Sequence, residues 1–357
     1  MMRWCCLAAV ALLCCSGARA ADDVADATAR LLAGMPPRDG ALAEITRDRA
    51  WQAHAADMDK AWARLGGEQL AKIREWAPVF LGDAYTSDAP MFYMFSGPDF
   101  LYANAFFPAA RTYILCGIEP IGALPDLERM PPLEFATALG NLRRSVESLF
   151  NWSFFITKQM KTDLAQKELP GTLPVLCVFL ARAGCRIDAL GTVALNESGE
   201  FVPAGKGTTP GVRIDFVSPE GRSQTLYYFM SNLADYAVAT RPGFLAFCER
   251  QGQGSVLLKA ASYLMHVPGF NRVRDFLLTR SEVIVQDDSG IPHRFFDRER
   301  WTLRYFGRYT GPIATFQEHL QPELARIYGT IQTAPLPFSF GYQWQPNRSS
   351  MVIAMPL

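Results

Sequence analysis

The run richest in proton-moving groups is Asp287-Asp288-Ser289-Gly290-Ile291-Pro292-His293. Two neighbouring carboxylates push each other's pKa apart, which readies one as acid and the other as base. His293 follows that turn and is the histidine best placed to approach Asp287 or Asp288. A second polar set is Ser96-Gly97-Pro98-Asp99, and a third is Gly117-Ile118-Glu119. Ser231-Asn232, with Asp235 beyond them, repeats the serine-then-aspartate order of Ser96 to Asp99 after another aromatic strand. Together these residues suit hydrolase or transferase chemistry on a small polar, anionic or glycan-related ligand. In that scheme Asp287 or Asp288 is the base, Glu119 the partner acid or ligand anchor, and the Ser96 to Asp99 turn holds an anion. Ser231, Asn232 and Ser289 are further ligand contacts. Each residue also has a plain structural alternative. Asp99 can cap a helix, and Asp287-Asp288 can form a turn before Gly290 and Pro292.

For these groups to act together, one edge of a sheet must collect them. Met91 to Phe95 reads as a strand, Asp99 to Phe107 as a short helix stopped by Pro108, and Arg111 to Gly117 as a second strand. Two strands joined through a helix form a parallel pair with a right-handed crossover. Ligands of open α/β sheets sit outside the carboxyl ends of the parallel strands. That rule selects Ser96 to Asp99, Gly117 to Glu119 and, if the strand Ser281 to Gln286 is parallel to them, Asp287 to Ser289. Amides at the start of the Asp99 helix would add an anion cradle.

The stretch Met91 to Gly122 resembles the first βαβ unit of nucleotide-binding and methyltransferase-like folds. In those folds an acidic residue about twenty positions past the glycine turn holds the ribose. Glu119 stands 22 positions after Gly97. The resemblance implies a Rossmann-like architecture. It does not carry a cofactor, because one glycine stands where the fingerprint needs several. An exported protein also rarely meets nicotinamide or S-adenosylmethionine.

The remaining chain frames this unit. Residues 22 to 34 are helical in pattern. Trp51, Ala55, Met58, Trp62 and Leu65 mark one apolar stripe of a helix from Ala41 to Leu65. Gly66-Gly67 is expected to break it, making Glu68 to Phe80 the second member of an antiparallel pair, with partly solvated His54 beside the stripe. Its tryptophans are expected to pack on the main domain, and the alternative is a tryptophan-lined ligand site. Helices are expected at Pro132 to Phe150, Phe154 to Lys167, Pro174 to Ala183, Gly243 to Gln251, Ser255 to His266, Asn271 to Arg280 and Ile313 to Tyr328. Strands are expected at Arg186 to Leu195, in a hairpin of Val212 to Val217 with Ser223 to Met230, and at Ser281 to Gln286. The β-prone end is Met351 to Met355.

The fold class expected is therefore α/β. It is a mixed, largely parallel sheet with helices on both faces, forming one domain over residues 86–357, with a helical arm over 21–85. Residues 1–20 read as a secretory signal peptide: a basic start, an apolar run from Cys5 to Cys15, and a small-x-small cleavage site at Ala18-Arg19-Ala20. Leu13 before Cys14 does not suit lipid attachment. The expected location is the periplasm or the medium, without integral membrane association.

Removing the signal leaves 33 basic residues against 35 acidic ones, once Arg3 and Arg19 are subtracted. That balance gives no electrostatic reason to bind nucleic acid. Cys116, Cys177, Cys185 and Cys248 remain, as two disulfides or four buried thiols. The chain has no G-x-S-x-G, H-E-x-x-H, EF-hand loop or C-x-x-C. No metal and no cofactor are therefore assigned. Arg304 and Arg308 are candidate counter-charges. The competing class is a non-catalytic periplasmic protein that keeps the nucleotide-fold scaffold and uses its edge, or the tryptophan arm, to bind a partner.

Overall fold

The computed structural model describes residues 23–40, 42–152, 169–345 and 347–357. The signal peptide expected over residues 1–20 and the charged helix expected from Phe154 to Lys167 both lie outside the described residues. Nine strands form one mixed sheet in the order β3-β4-β5-β2-β1-β6-β7-β9-β8. They are β1 (Met91–Tyr93), β2 (Thr112–Gly117), β3 (Arg186–Leu195), β4 (Thr209–Val217), β5 (Ser223–Met230), β6 (Gly254–Leu258), β7 (Ser281–Gln286), β8 (Trp301–Gly307) and β9 (Ser350–Pro356).

The centre of the sheet is parallel: β5 with β2, β2 with β1, β1 with β6, and β6 with β7. Antiparallel strands flank it, β3 and β4 on one side, β9 and β8 on the other. Successive side chains alternate between faces. Met91, Tyr93, Tyr113 and Leu115 join one apolar cluster, while Phe92, Met94, Ile114 and Cys116 join another. Helices Phe100–Phe106 and Leu173–Arg182 contribute buried residues to the first cluster, and Gly243–Arg250 and Asn271–Arg280 to the second. Because both faces are covered, the central strands are nearly all apolar.

β6 corrects the helix expected from Ser255 to His266. Gly254-Ser-Val-Leu-Leu contains good helix formers, yet all five residues are buried in the slot between β1 and β7. A short apolar run has no period long enough to separate the two structures, and the tertiary slot decides. Beyond it only a 3-10 turn, Leu264–His266, remains helical.

The amino-terminal arm differs in the same direction. Arg49–Leu65, a π-helical turn Gly66–Leu70, and Ala71–Leu81 run on as one helical rod. Gly66 keeps right-handed dihedrals (φ −61°, ψ −50°), so no chain reversal occurs and there is no antiparallel pair. The rod turns its aromatic face inward. Trp51 donates through Nε1 to the Leu31 carbonyl (3.0 Å), and Trp76 meets Phe106, Phe306 and Phe338 edge-on.

His54 is fully buried rather than half-solvated, with Nε2 2.8 Å from the Leu32 carbonyl oxygen. The helix expected from Ile313 to Tyr328 is divided into a 3-10 segment, Ala314–His319, and a helix, Pro322–Thr330. Pro322 excludes its predecessor from the helical region, and Gln321 is extended accordingly (φ −102°, ψ 96°). Cys116, Cys177, Cys185 and Cys248 are buried free thiols, so no disulfide joins these four.

Candidate functional site

A cavity of about 380 Å³ opens at the carboxyl ends of β1, β2, β5 and β6. Phe95 to Gly97 and Asp99 reach it from β1, Cys116 to Glu119 from β2, Ser231 to Leu233 from β5, and Lys259, Ala260 and Ser262 from β6. Strand order reverses direction between β1 and β6, and residues following both strands line the cavity. Such a switch point leaves a crevice because the crossovers on its two sides lead to opposite faces of the sheet.

The loops here hold unusual backbone conformations. Phe95 (φ 61°), Ala260 (φ 52°), Ser262 (φ 54°) and Tyr263 (φ 54°) are left-handed without being glycine. Each such residue costs about 1–3 kcal/mol unless its surroundings enforce it, and such strain clusters at functional sites. Hydrogen bonds supply the enforcement at Phe95, because the amides of Ser96 and Gly97 both donate to the Cys116 carbonyl (3.0 and 3.3 Å). Ser96 Oγ donates to the Gly97 carbonyl (2.8 Å) and accepts from the Cys116 amide (3.2 Å). A side chain at Gly117 would fall 2.3 Å from Glu119 Oε2, so glycine there keeps the cavity wall open.

The floor is charged but internally paired. Lys259 Nζ lies 2.7 Å from Asp99 Oδ2 and 3.3 Å from the centre of the Tyr102 ring. Tyr93 donates to the same carboxylate oxygen (3.0 Å), while Asp99 Oδ1 accepts from the Tyr102 amide (3.3 Å). Asp99 is thus the cap of the Phe100–Phe106 helix as well as an ion-pair partner, and it occupies the amide cradle expected for an anion. Burial lowers the Lys259 pKa, and the Asp99 charge opposes that fall. Glu119 accepts from Tyr228, at its backbone carbonyl (3.0 Å) and at Oε2 (3.3 Å). Burial first, and the Glu119 charge second, push the Tyr228 phenol well above its ordinary value.

Ser96, Gly97, Asp99, Glu119, Ser231 and Asn232 therefore share one cavity wall. Asp287, Asp288, Ser289 and His293 are not part of it. Asp287 lies behind the wall, 2 % exposed, and accepts four hydrogen bonds: Ser289 Oγ (2.5 Å), Ser289 N (3.2 Å), Ala260 N (3.2 Å) and Tyr342 N (3.3 Å). Ser289 Oγ in turn accepts from Ala261 N (2.7 Å). The Asp287 carboxylate so ties the loop after β6 to the turn at Tyr342, two parts of the cavity wall.

Asp288 turns elsewhere and accepts from the Tyr263 hydroxyl (2.8 Å). Burial, then the charge of Asp287, raises its pKa to about 7. Burial also raises the Asp287 carboxyl, against the pull of its four donors. His293 places Nε2 2.8 Å from the Tyr305 hydroxyl and Nδ1 3.1 Å from Glu323. Arg304 is drawn away from the edge, donating to the Phe80 carbonyl (3.0 Å) across the Phe80 and Phe306 rings. Among the described residues no group of three or more His, Cys, Asp or Glu side chains is placed to hold a metal ion.

Sequence reasoning missed Lys259, Tyr93, Phe270 and Tyr342. Lys259 had a readable signal: a lone charge directly after the apolar run Gly254–Leu258. Reading that run as a strand would have put Lys259 on the carboxyl edge. Tyr342 and Phe270 reach the cavity from loops distant in sequence, and no local pattern announces them. Comparison with known proteins returned no matching family model, no similar curated protein and no similar solved structure.

Proposed function

We propose that the chain is an exported protein on a Rossmann-like, methyltransferase-like scaffold that takes a small molecule into the switch-point cavity and acts on it as a hydrolase or transferase. The observation that carries this reading is the convergence of four strand-end loops on one cavity. Numbered by order of appearance, the parallel strands run third, second, first, fourth, fifth, the order of doubly wound nucleotide folds. The volume falls in the range of about 300–1,000 Å³ usual for ligand pockets. Two sets of groups there can move protons: Glu119 with Tyr228, and Tyr93 with Asp99 and Lys259. The Asp287 cage serves them by fixing the walls. The second reading is a non-catalytic binding protein, favoured by the carboxylates of the edge already accepting hydrogen bonds from the protein itself.

A ligand screen by melting temperature tests the proposal, run on the mature protein and on Ser231→Trp, which fills the cavity. A true ligand raises the melting temperature of the first only. Product formed on prolonged incubation separates enzyme from binder, and hits that stabilise both proteins equally would overturn the cavity as the site. The mass of the mature protein tests export, with cleavage expected after Ala20.

A further inference from the structure

The charged residues of the cavity first suggest a charged ligand, but their exposure and pairing argue otherwise. Lys259, Asp99 and Glu119 are each no more than 4 % exposed. Asp99 and Lys259 neutralise each other at 2.7 Å, and Tyr93 and the Tyr102 amide occupy further positions on the same carboxylate. Glu119 is engaged by Tyr228. The surface left for a ligand is of another kind. Phe95, Ile118, Leu264 and Phe270 form an apolar mouth, and the Phe95 and Phe270 rings meet edge to face at 6.0 Å. Ile118 is 46 % exposed at that mouth. The accessible polar side chains are the neutral Ser231, Asn232 and Ser262.

We infer that the natural ligand is an uncharged molecule with an apolar acyl or aromatic body and a neutral hydrogen-bonding head, such as an ester, amide or alcohol. This rests on the cavity being the ligand site. A charged head would lose its hydration on entry and meet walls where Asp99 and Lys259 already neutralise each other and the Glu119 carboxylate already accepts from Tyr228, which costs more than it returns. An apolar body gains by burial against Phe95, Ile118, Leu264 and Phe270. The polar remainder needs no more than the Ser231, Asn232 and Ser262 side chains and the loop backbone. The same argument disfavours a free sugar, which presents too many hydroxyls to an apolar mouth.

A matched set of probes decides the point: octanamide, octanoate and octylamine share a chain and differ in head charge at pH 7, and glucose serves as the polar control. Binding to the mature protein is measured by calorimetry. Octanamide should bind at least about tenfold more tightly than either charged probe, equivalent to about 1.4 kcal/mol, and glucose should not bind. Ser231→Trp should abolish octanamide binding, and Ile118→Asp, at an exposed position that leaves the core intact, should weaken it and improve octylamine relative to octanamide. Equal or tighter binding of a charged probe that Ser231→Trp abolishes would overturn the inference while leaving the cavity as the ligand site. Binding of octanamide that neither variant alters, or no binding of any probe, would also overturn it. In that last case the melting-temperature screen judges the cavity reading separately.

Discussion

Asp287 shows how far a residue's chemistry depends on what surrounds it. Its neighbours in sequence, an aspartate, a serine and a glycine, suit a general base and a turn equally well. The four donors around it make it an anchor: two reach Oδ1 and two reach Oδ2. Gly341 seals the cage from the far side, since a side chain there would fall 1.8 Å from Oδ2. Asp287→Asn puts an amide nitrogen where at least one pair of donors now points. The expected loss is about 3 kcal/mol of unfolding free energy, from weakened charge-assisted bonds and buried donors left unmatched. Urea denaturation measures it, and a loss below about 1 kcal/mol would show that the cage is not needed to hold the loop. The chemical weight of Asp287 and Asp288 was legible in the sequence; their seclusion was not. Burial of that turn depends on Ala260 and Tyr342, which lie 27 and 55 positions away.

At the scale of elements, what could be read locally was read well. The β1 unit with its capped helix, the β4–β5 hairpin and the strand Ser281–Gln286 each carry a period, a cap or a turn signal within a few residues. Two misread stretches, β6 and the arm, are ones where tertiary context overrode local preference, whereas the break before Pro322 has a local cause. Gly66-Gly67 looks like punctuation, yet both glycines lie inside a helical rod, and a side chain at Gly67 would meet nothing within 4 Å. Glycine in a right-handed helix costs about 0.5–1 kcal/mol relative to alanine, through the entropy it loses on folding. Gly67→Ala should therefore stabilise the protein by about that amount in chemical denaturation. A destabilising Gly67→Ala would instead indicate that the glycine serves a turn or the π-helical geometry of the rod.

The order in which strands assemble belongs to the whole molecule, and no window of sequence contains it. That β6 slots between β1 and β7 follows from long-range burial, as does the seclusion of His54 and His266. These two histidines make global stability respond to acid. Burial lowers the pKa of each to about 4 from an ordinary 6.5; the Leu32 carbonyl opposes this at His54, and the His319 charge reinforces it at His266. The unfolded chain takes up protons as pH falls through about 6.5, while the native protein does so only near 4. Their contribution is thus complete above about pH 6.5, declines as pH falls, and is gone near pH 4. Asp288 acts in the opposite sense over much of the same window. Its native form keeps a proton up to about pH 7 that the unfolded chain releases near 3.8, so its contribution is lost as pH rises. The two trends partly cancel in the intact protein, and a comparison with His54→Gln isolates one of them. Glutamine can keep the donor to the Leu32 carbonyl and does not titrate. His54→Gln should be less stable than the parent at pH 7. Below pH 6.5 the gap should close by up to about 1.4 kcal/mol per pH unit, the slope of one proton. Stability curves of the two proteins that stay parallel from pH 7 to pH 4 would mean that His54 takes up its proton at the same pH in the native fold as in the unfolded chain.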